Sequence, residues 1–196
     1  MFDEGIYIDE FIYNIELQNH GKDILQILNK DIENKKIVVI DKAQLKKLRI
    51  WHLYNENLEE EKALYPPSDM GEIHAIALAR TLGAVSVVTD DTKERGPHYY
   101  LMRIEDCSNM PLAFYEILIL LYLKENFLVY EVIQIFDSVI EQHQELPYNL
   151  KSTLRNFIKR FVGDPYTRRD KIWFYEFCKS FNISYRKKFK ELYDAL

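Results

Sequence analysis

Four carboxylates stand where they could form one centre for phosphoryl chemistry. Asp9 follows an apolar run, Glu72 opens an alanine-rich segment, and Asp90 and Asp91 follow a run rich in β-branched residues. Carboxylates that meet at one point raise each other's pKa values unless a cation shares the site, and Mg²⁺ or Mn²⁺ suits such oxygen ligands. A metal held this way can orient a water for in-line attack on phosphorus. The alternative is that these acids only cap helices.

The elements around these acids predict an α/β fold. Apolar runs indicate strands over 5–9, 37–40 and 84–89, and helical spacing indicates helices over 42–54, 70–83 and 112–144. Asp41 is a predicted N-cap, and Gly83 is a predicted helix end. Alternating strands and helices imply parallel strands joined by right-handed crossovers. Ligands of such sheets bind at the carboxyl ends of the strands, where Asp9, Asp90 and Asp91 fall.

One segment carries a family resemblance. Residues 70–95 read MGEIHAIALARTLGAVSVVTDDTKER. This order of glycine, acid, alanine-rich helix, buried strand and acid pair resembles the Gly-Glu-x-Glu-Ala-Ile-Ala-Leu-Ala and Asp-Asp-x-x-x-Arg pattern of PIN domains, including ribonuclease toxins of VapC type. The resemblance implies a three-layer fold with a central parallel sheet. It also implies a centre that holds Mg²⁺ or Mn²⁺ and cleaves single-stranded RNA.

The resemblance assigns roles by position. Asp9 matches the aspartate of the first strand, Glu72 the helix glutamate, Asp90 and Asp91 the final pair, and Arg95 the arginine after the pair, as a supporting residue. Asp3 competes with Asp9 as the first acid, because Glu10 and Phe11 depart from the residues that usually follow it. His74 stands where many members have a second glutamate, either as a plain helix residue or as a substitute ligand or proton carrier.

The charge distribution predicts a second part of the chain. Residues 147–196 hold twelve Lys and Arg against five acids, a net +7, which leaves −12 for residues 1–146. We therefore divide the chain into a PIN-like domain over 1–145 and a basic helical extension over 146–196. Cations interleaved with aromatic rings predict binding of single-stranded RNA, and the alternative is a helical core with solvated charges. The predicted RNA-binding residues are Arg168, Arg169, Lys171, Trp173, Arg186, Lys187 and Lys188.

Composition bears on the expected cellular location of the protein, and two alternative functions remain open. No apolar run is long enough to span a bilayer and no signal peptide is evident, so we expect a cytoplasmic protein without membrane contact. Cys107 and Cys178 are far apart, which argues against a zinc site or a disulfide framework. The alternative functions are a catalytically inactive PIN-like binding or regulatory module, and a toxin or defence effector kept silent by an antitoxin-like protein. The resemblance also favours a homodimer.

Overall fold

The computed structural model describes residues 5–19, 22–90, 96–103, 109–142, 149–163 and 168–196. These residues are mainly helical and include four short strands, so the chain combines α and β structure as predicted. None of the helices within these ranges is both long and apolar enough to cross a membrane. The strands are β1 (Ile6–Asp9), β2 (Ile37–Ile40), β3 (Ser86–Val88) and β4 (Met110–Leu112). The α-helices are α1 (Lys22–Glu33), α2 (Lys42–Lys47), α3 (Trp51–Leu64), α4 (Met70–Leu82), α5 (Pro97–Leu101), α6 (Phe114–Leu123), α7 (Val129–Gln142), α8 (Leu150–Ile158), α9 (Arg168–Ser180) and α10 (Tyr185–Asp194).

The strands lie in two sheets of two strands each within the described ranges. β1 and β2 pair in parallel, from Ile6 opposite Ile37 to Asp9 opposite Ile40, as the sequence predicts. β3 pairs with β4, where the sequence analysis had expected β3 to join one central sheet. The strand β4 was not predicted, because its three residues are too few to show a period.

Two predicted helices are each interrupted by a turn. The helix predicted over 42–54 divides into α2 and α3, and the helical stretch predicted over 112–144 contains α6 and α7. Arg49 follows α2 at φ +63° and Glu125 follows α6 at φ +63°. The next N–H in each case bonds back to a carbonyl five residues earlier, from Ile50 to Leu45 and from Asn126 to Leu121. This is the Schellman motif, which usually has glycine at the positive-φ position. Neither helix end has a glycine there, so the sequence did not predict where these helices end.

The chain forms two compact units, residues 1–87 and residues 88–196. The sequence analysis had placed the division at 145/146. The C-terminal helices belong to the same unit as α6, because Arg160 bonds to Glu116 of α6 and Tyr122 donates a hydrogen bond to the carbonyl of Lys188. The basic extension is therefore part of the second unit rather than a separate appendage.

The first unit is built on the packing of α4 against α3 and β1. Ile73, Ile76 and Ala77 of α4 are fully buried. Gly71 is also buried, and a Cβ added to it would overlap the carboxylate of Glu16, which lies in a π-helical turn (Ile12–Glu16) after β1. The glycine of the family-like motif thus leaves room for an acid at the start of α4. As predicted, α4 ends at Gly83, whose φ is +64°.

The second unit has an aromatic core and a buried ion network. Rings from α8, α9, α10 and the π-helical turn Lys159–Gly163 pack on one another: Phe157, Phe161, Phe174, Phe177 and Phe189. Beside them Arg160, only 4% exposed, donates to Asp170 at 2.8 Å and to Glu116 at 2.7 Å. Cys178 is buried there, and burial raises the pKa of its thiol to about 11.

Candidate active site

The carboxylate of Asp9 is the centre of the polar cluster in the first unit. Asp9 is the last residue of β1 and is 2% exposed. Its Oδ1 accepts the backbone N–H of Phe11 at 2.8 Å, and its Oδ2 accepts the hydroxyl of Tyr54 at 2.7 Å. The Nδ1 of His74 lies 3.2 Å from Oδ1. Two hydrogen bonds and the nearby imidazole thus hold the buried carboxyl group of Asp9 in a fixed place.

Tyr54 reaches Asp9 from the first turns of α3. Burial raises the pKa of Tyr54 above its ordinary value, and the negative charge of Asp9 raises it further. The phenol therefore keeps its proton near neutral pH. That proton goes to Asp9, because a carboxylate can only accept a hydrogen bond.

The position of the Tyr54 proton also determines which ring nitrogen of His74 carries a hydrogen. The hydroxyl oxygen of Tyr54 lies 2.8 Å from Nδ1 of His74, and its only proton already goes to Asp9. Nδ1 must therefore carry a hydrogen, which it donates to the Tyr54 hydroxyl oxygen. In the neutral imidazole the proton-accepting atom is then Nε2. The ring of Phe11 stacks on His74 with centroids 4.2 Å apart and planes 5° apart, which holds the imidazole in this orientation.

The predicted partners of Asp9 are placed differently from one another. His74 meets Asp9 directly, whereas Glu72 is not among the hydrogen-bonding partners of Asp9. Two residues apart on a helix are roughly 200° apart around its axis, so Glu72 and His74 point in different directions. Asp90 belongs to the second unit, and its carboxylate accepts the N–H of Phe114 at 2.9 Å. It thus caps the start of α6.

Three other predicted residues lie outside the described ranges: Asp91, Arg95 and the competing first acid Asp3. Glu10, the residue after Asp9, accepts the first N–H of α2 at 3.2 Å. Asp41 caps the same helix and forms a capping box with Gln44, which confirms the predicted N-cap. Glu10 and Asp41 therefore both accept backbone N–H groups at the start of α2.

The described residues do not by themselves complete a metal site. A carboxylate has about four acceptor positions; Phe11 and Tyr54 each donate to one oxygen of Asp9, and Nδ1 of His74 lies 3.2 Å from Oδ1. Within the described ranges, no three His, Cys, Asp or Glu side chains lie close enough together to hold a metal ion.

The predicted RNA-binding residues are partly used for packing inside the second unit. Arg169 donates to Asp170 at 2.9 Å and to the carbonyls of Leu101 and Asn109. Trp173 is half-buried and stacks on Phe177 with centroids 5.3 Å apart. The remaining members are placed as follows: Arg168, Arg186 and Lys187 are exposed, Lys171 is half-buried, and Lys188 pairs with Glu125 at 3.0 Å.

Tyr54 is the site residue that sequence reasoning missed. It lies 45 residues after Asp9, inside a segment in which only the aliphatic positions had been read as core. A tyrosine on a helix carries no signal of a polar partner, so the tertiary structure alone reveals this contact. Comparison with known proteins gives no match: no family model fits the sequence, and neither the curated proteins nor the solved structures show significant similarity.

Proposed function

We propose that this protein is a PIN-like, metal-dependent endoribonuclease that cleaves single-stranded RNA. The observation that carries the proposal is the buried Asp9 carboxylate, which lies at the carboxyl end of a parallel strand and contacts His74 of the motif helix. A three-layer arrangement around one parallel sheet is part of the proposal. The parallel pair β1 and β2, with α1 between them along the chain, supports it.

The residues around Asp9 suit the handling of one proton during hydrolysis. Asp9 and Tyr54 fix the Nδ1–H of His74, so that Nε2 can take a proton from an attacking water. Mg²⁺ or Mn²⁺ bound by the motif acids, among them Asp9 and Glu72 of the first unit, would supply charge stabilisation at the phosphate. Attack by water rather than by the RNA 2′-hydroxyl leaves a 5′-phosphate and a free 3′-hydroxyl.

A second candidate is a catalytically inactive PIN-like module that binds nucleic acid or regulates a partner. The surroundings of Asp9 favour it, since Phe11 and Tyr54 already donate to its two oxygens and Nδ1 of His74 lies 3.2 Å from Oδ1. In this reading the cluster of Asp9, Tyr54 and His74 stabilises the junction of β1, α3 and α4. The two candidates differ in whether the protein binds a divalent cation and turns over RNA.

The deciding experiment follows cleavage of end-labelled single-stranded RNA with Mn²⁺ or Mg²⁺ and with EDTA as a control. We expect metal-dependent cleavage that Asp91→Asn and Asp9→Asn abolish. His74→Ala should slow the reaction by about 10²-fold or more, as loss of a general base does. His52→Ala is the matched control, because His52 is exposed and pairs only with Glu56 on its own helix. It should cleave like the wild type.

Two further measurements make a negative result informative. Circular dichroism melting identifies variants that fail to fold, and the wild-type melting temperature with and without Mn²⁺ reports metal binding. Absence of both cleavage and stabilisation by Mn²⁺ would reject the nuclease and select the inactive module. Equal rates for His74→Ala and His52→Ala would remove His74 from the mechanism while leaving the metal centre in place.

A further inference from the structure

The second unit carries a row of cations that is separate from the residues of α9. On α8 and the turn that continues it, Lys151, Arg155 and Lys159 follow one another at intervals of four residues. Side chains at this spacing lie above one another on one face of a helix. Arg155 and Lys159 are exposed and Lys151 is half-buried, so the row faces solvent.

A second row on α10 meets the first at Tyr193. Arg186, Lys190 and Tyr193 are four and three residues apart, which places them on one face of α10. Both cations on this helix are exposed. They flank the helix face that buries Phe189 and Leu192, so the packing of α10 fixes the direction in which they point.

Tyr193 links the two rows by direct contact. Arg155 donates to the Tyr193 hydroxyl at 2.7 Å, and the Lys151 ammonium lies 4.4 Å from the centre of the ring. The hydrogen bond from Arg155 lowers the pKa of Tyr193, with further lowering by Lys151, although Asp194 opposes it. Arg155 and Lys151 are thus held close together at Tyr193, and the ring of Tyr193 is already covered by a cation.

We propose that this α8–α10 surface, formed by Lys151, Arg155, Lys159, Arg186 and Lys190, binds the phosphates of single-stranded RNA. The inference rests on the proposed function, for which it names the surface that holds the substrate strand. Five cations along α8, its following turn and α10, two of them in contact with Tyr193, match the spaced negative charges of a nucleic-acid backbone. Because Lys151 occupies the ring of Tyr193, the surface reads phosphates rather than bases, and binding is independent of sequence.

The test measures binding without cleavage. Fluorescence anisotropy of a labelled single-stranded RNA of about 16 nucleotides is recorded in EDTA, so that no metal-dependent reaction takes place. The triple variant Arg155→Gln, Lys159→Gln, Lys190→Gln is compared with the wild type. The control is Lys30→Gln, Lys46→Gln, Lys47→Gln, which removes the same charge from exposed lysines of the first unit.

We expect the α8–α10 variant to bind at least about tenfold more weakly and the control to bind like the wild type. The slope of log affinity against log salt should fall by about 2 for the variant, since each lost phosphate contact on a single strand removes about 0.7. Equal affinities for variant and control, or no RNA binding by the wild type, would overturn the inference. RNA binding in this assay, together with no cleavage in the separate assay with Mn²⁺ or Mg²⁺, would instead reject the proposed nuclease and leave this surface standing.

Discussion

At the scale of single residues, Tyr54 is the side chain that connects Asp9 with His74. Its hydroxyl contacts Asp9 at 2.7 Å and His74 at 2.8 Å, and the residue is only 4% exposed. Without the hydroxyl, the buried carboxyl group of Asp9 would have one hydrogen-bond donor fewer. Nδ1 of His74 would also lose an acceptor. One oxygen atom thus supports both the charge of Asp9 and the orientation of the imidazole.

Replacement of Tyr54 by phenylalanine tests this role. We expect Tyr54→Phe to lower the free energy of unfolding by about 1.5 to 3 kcal/mol, the usual value of a hydrogen bond to a buried charged group. Urea unfolding followed by circular dichroism measures it. Tyr13→Phe is the matched control, because the Tyr13 hydroxyl donates to Asn29 on the exposed surface. Its effect should stay within about 0.5 kcal/mol, and a similar loss in both variants would contradict the role of Tyr54.

Helix α4 shows how an element brings the motif residues into place. Its buried residues set its orientation against α3, and His74 then faces Asp9. Gly71 lets the Glu16 carboxylate approach the start of the helix, where the helix dipole favours negative charge. Gly71 therefore matters because it leaves space for the Glu16 carboxylate. Its own φ lies outside the left-handed region that favours glycine.

This account predicts that positions 16 and 71 are energetically coupled. Alanine favours a helix over glycine by about 1 kcal/mol, so Gly71→Ala alone combines that gain with displacement of the Glu16 carboxylate. In a Glu16→Ala background there is no carboxylate to displace, so Gly71→Ala gives only the stabilisation that comes from the higher helix propensity of alanine. A double-mutant cycle by urea unfolding should give a coupling free energy of at least about 0.5 kcal/mol. Additive effects would show that the carboxylate moves aside without cost.

The second unit as a whole depends on a buried ion network that joins distant parts of the chain. Arg160 bonds to Glu116, 44 residues earlier, and to Asp170, ten residues later. Burial alone would raise the pKa of Glu116, but the charge of Arg160, together with His98 and the Ala113 N–H, outweighs it and lowers the pKa. The network therefore stabilises the fold while Glu116 is ionised.

The lowered pKa of Glu116 makes the stability of the protein depend on pH. A carboxyl group whose folded-state pKa is depressed contributes fully above its unfolded value of about 4.5 and loses that contribution as the pH falls. We expect the wild-type unfolding free energy to fall below that pH, with Glu116 contributing at most about 1.4 kcal/mol per pH unit. Glu116→Gln should be less stable at pH 7 and less sensitive to acid. Urea midpoints across this range measure both effects.

Glu125→Gln provides the control for this titration. Glu125 is exposed and pairs with Lys188 on the surface, where an ion pair contributes about 0 to 1 kcal/mol. The control should keep the acid dependence of the wild type. If Glu116→Gln kept the same dependence as the control, the network around Arg160 would not be the source of the acid sensitivity.

The sequence by itself determined the features that follow from local spacing. The first two strands, their parallel pairing, the cap at Asp41, helix α4 and its end at Gly83 were all predicted and are all present. Asp9 was placed at the end of β1 for the same reason. These features depend on the periodicity of apolar side chains and on the conformational freedom of glycine, which are properties of neighbouring residues.

Only the tertiary structure decided which distant side chains meet. Tyr54 joins Asp9 although nothing near it in the sequence marks a polar partner, and Arg169, predicted to bind RNA, is engaged with Asp170. Arg49 and Glu125 end helices at positive φ, a conformation that non-glycine residues adopt only where surrounding contacts compensate its cost. Such contacts arise between elements far apart in the chain, so the order of residues alone does not specify them.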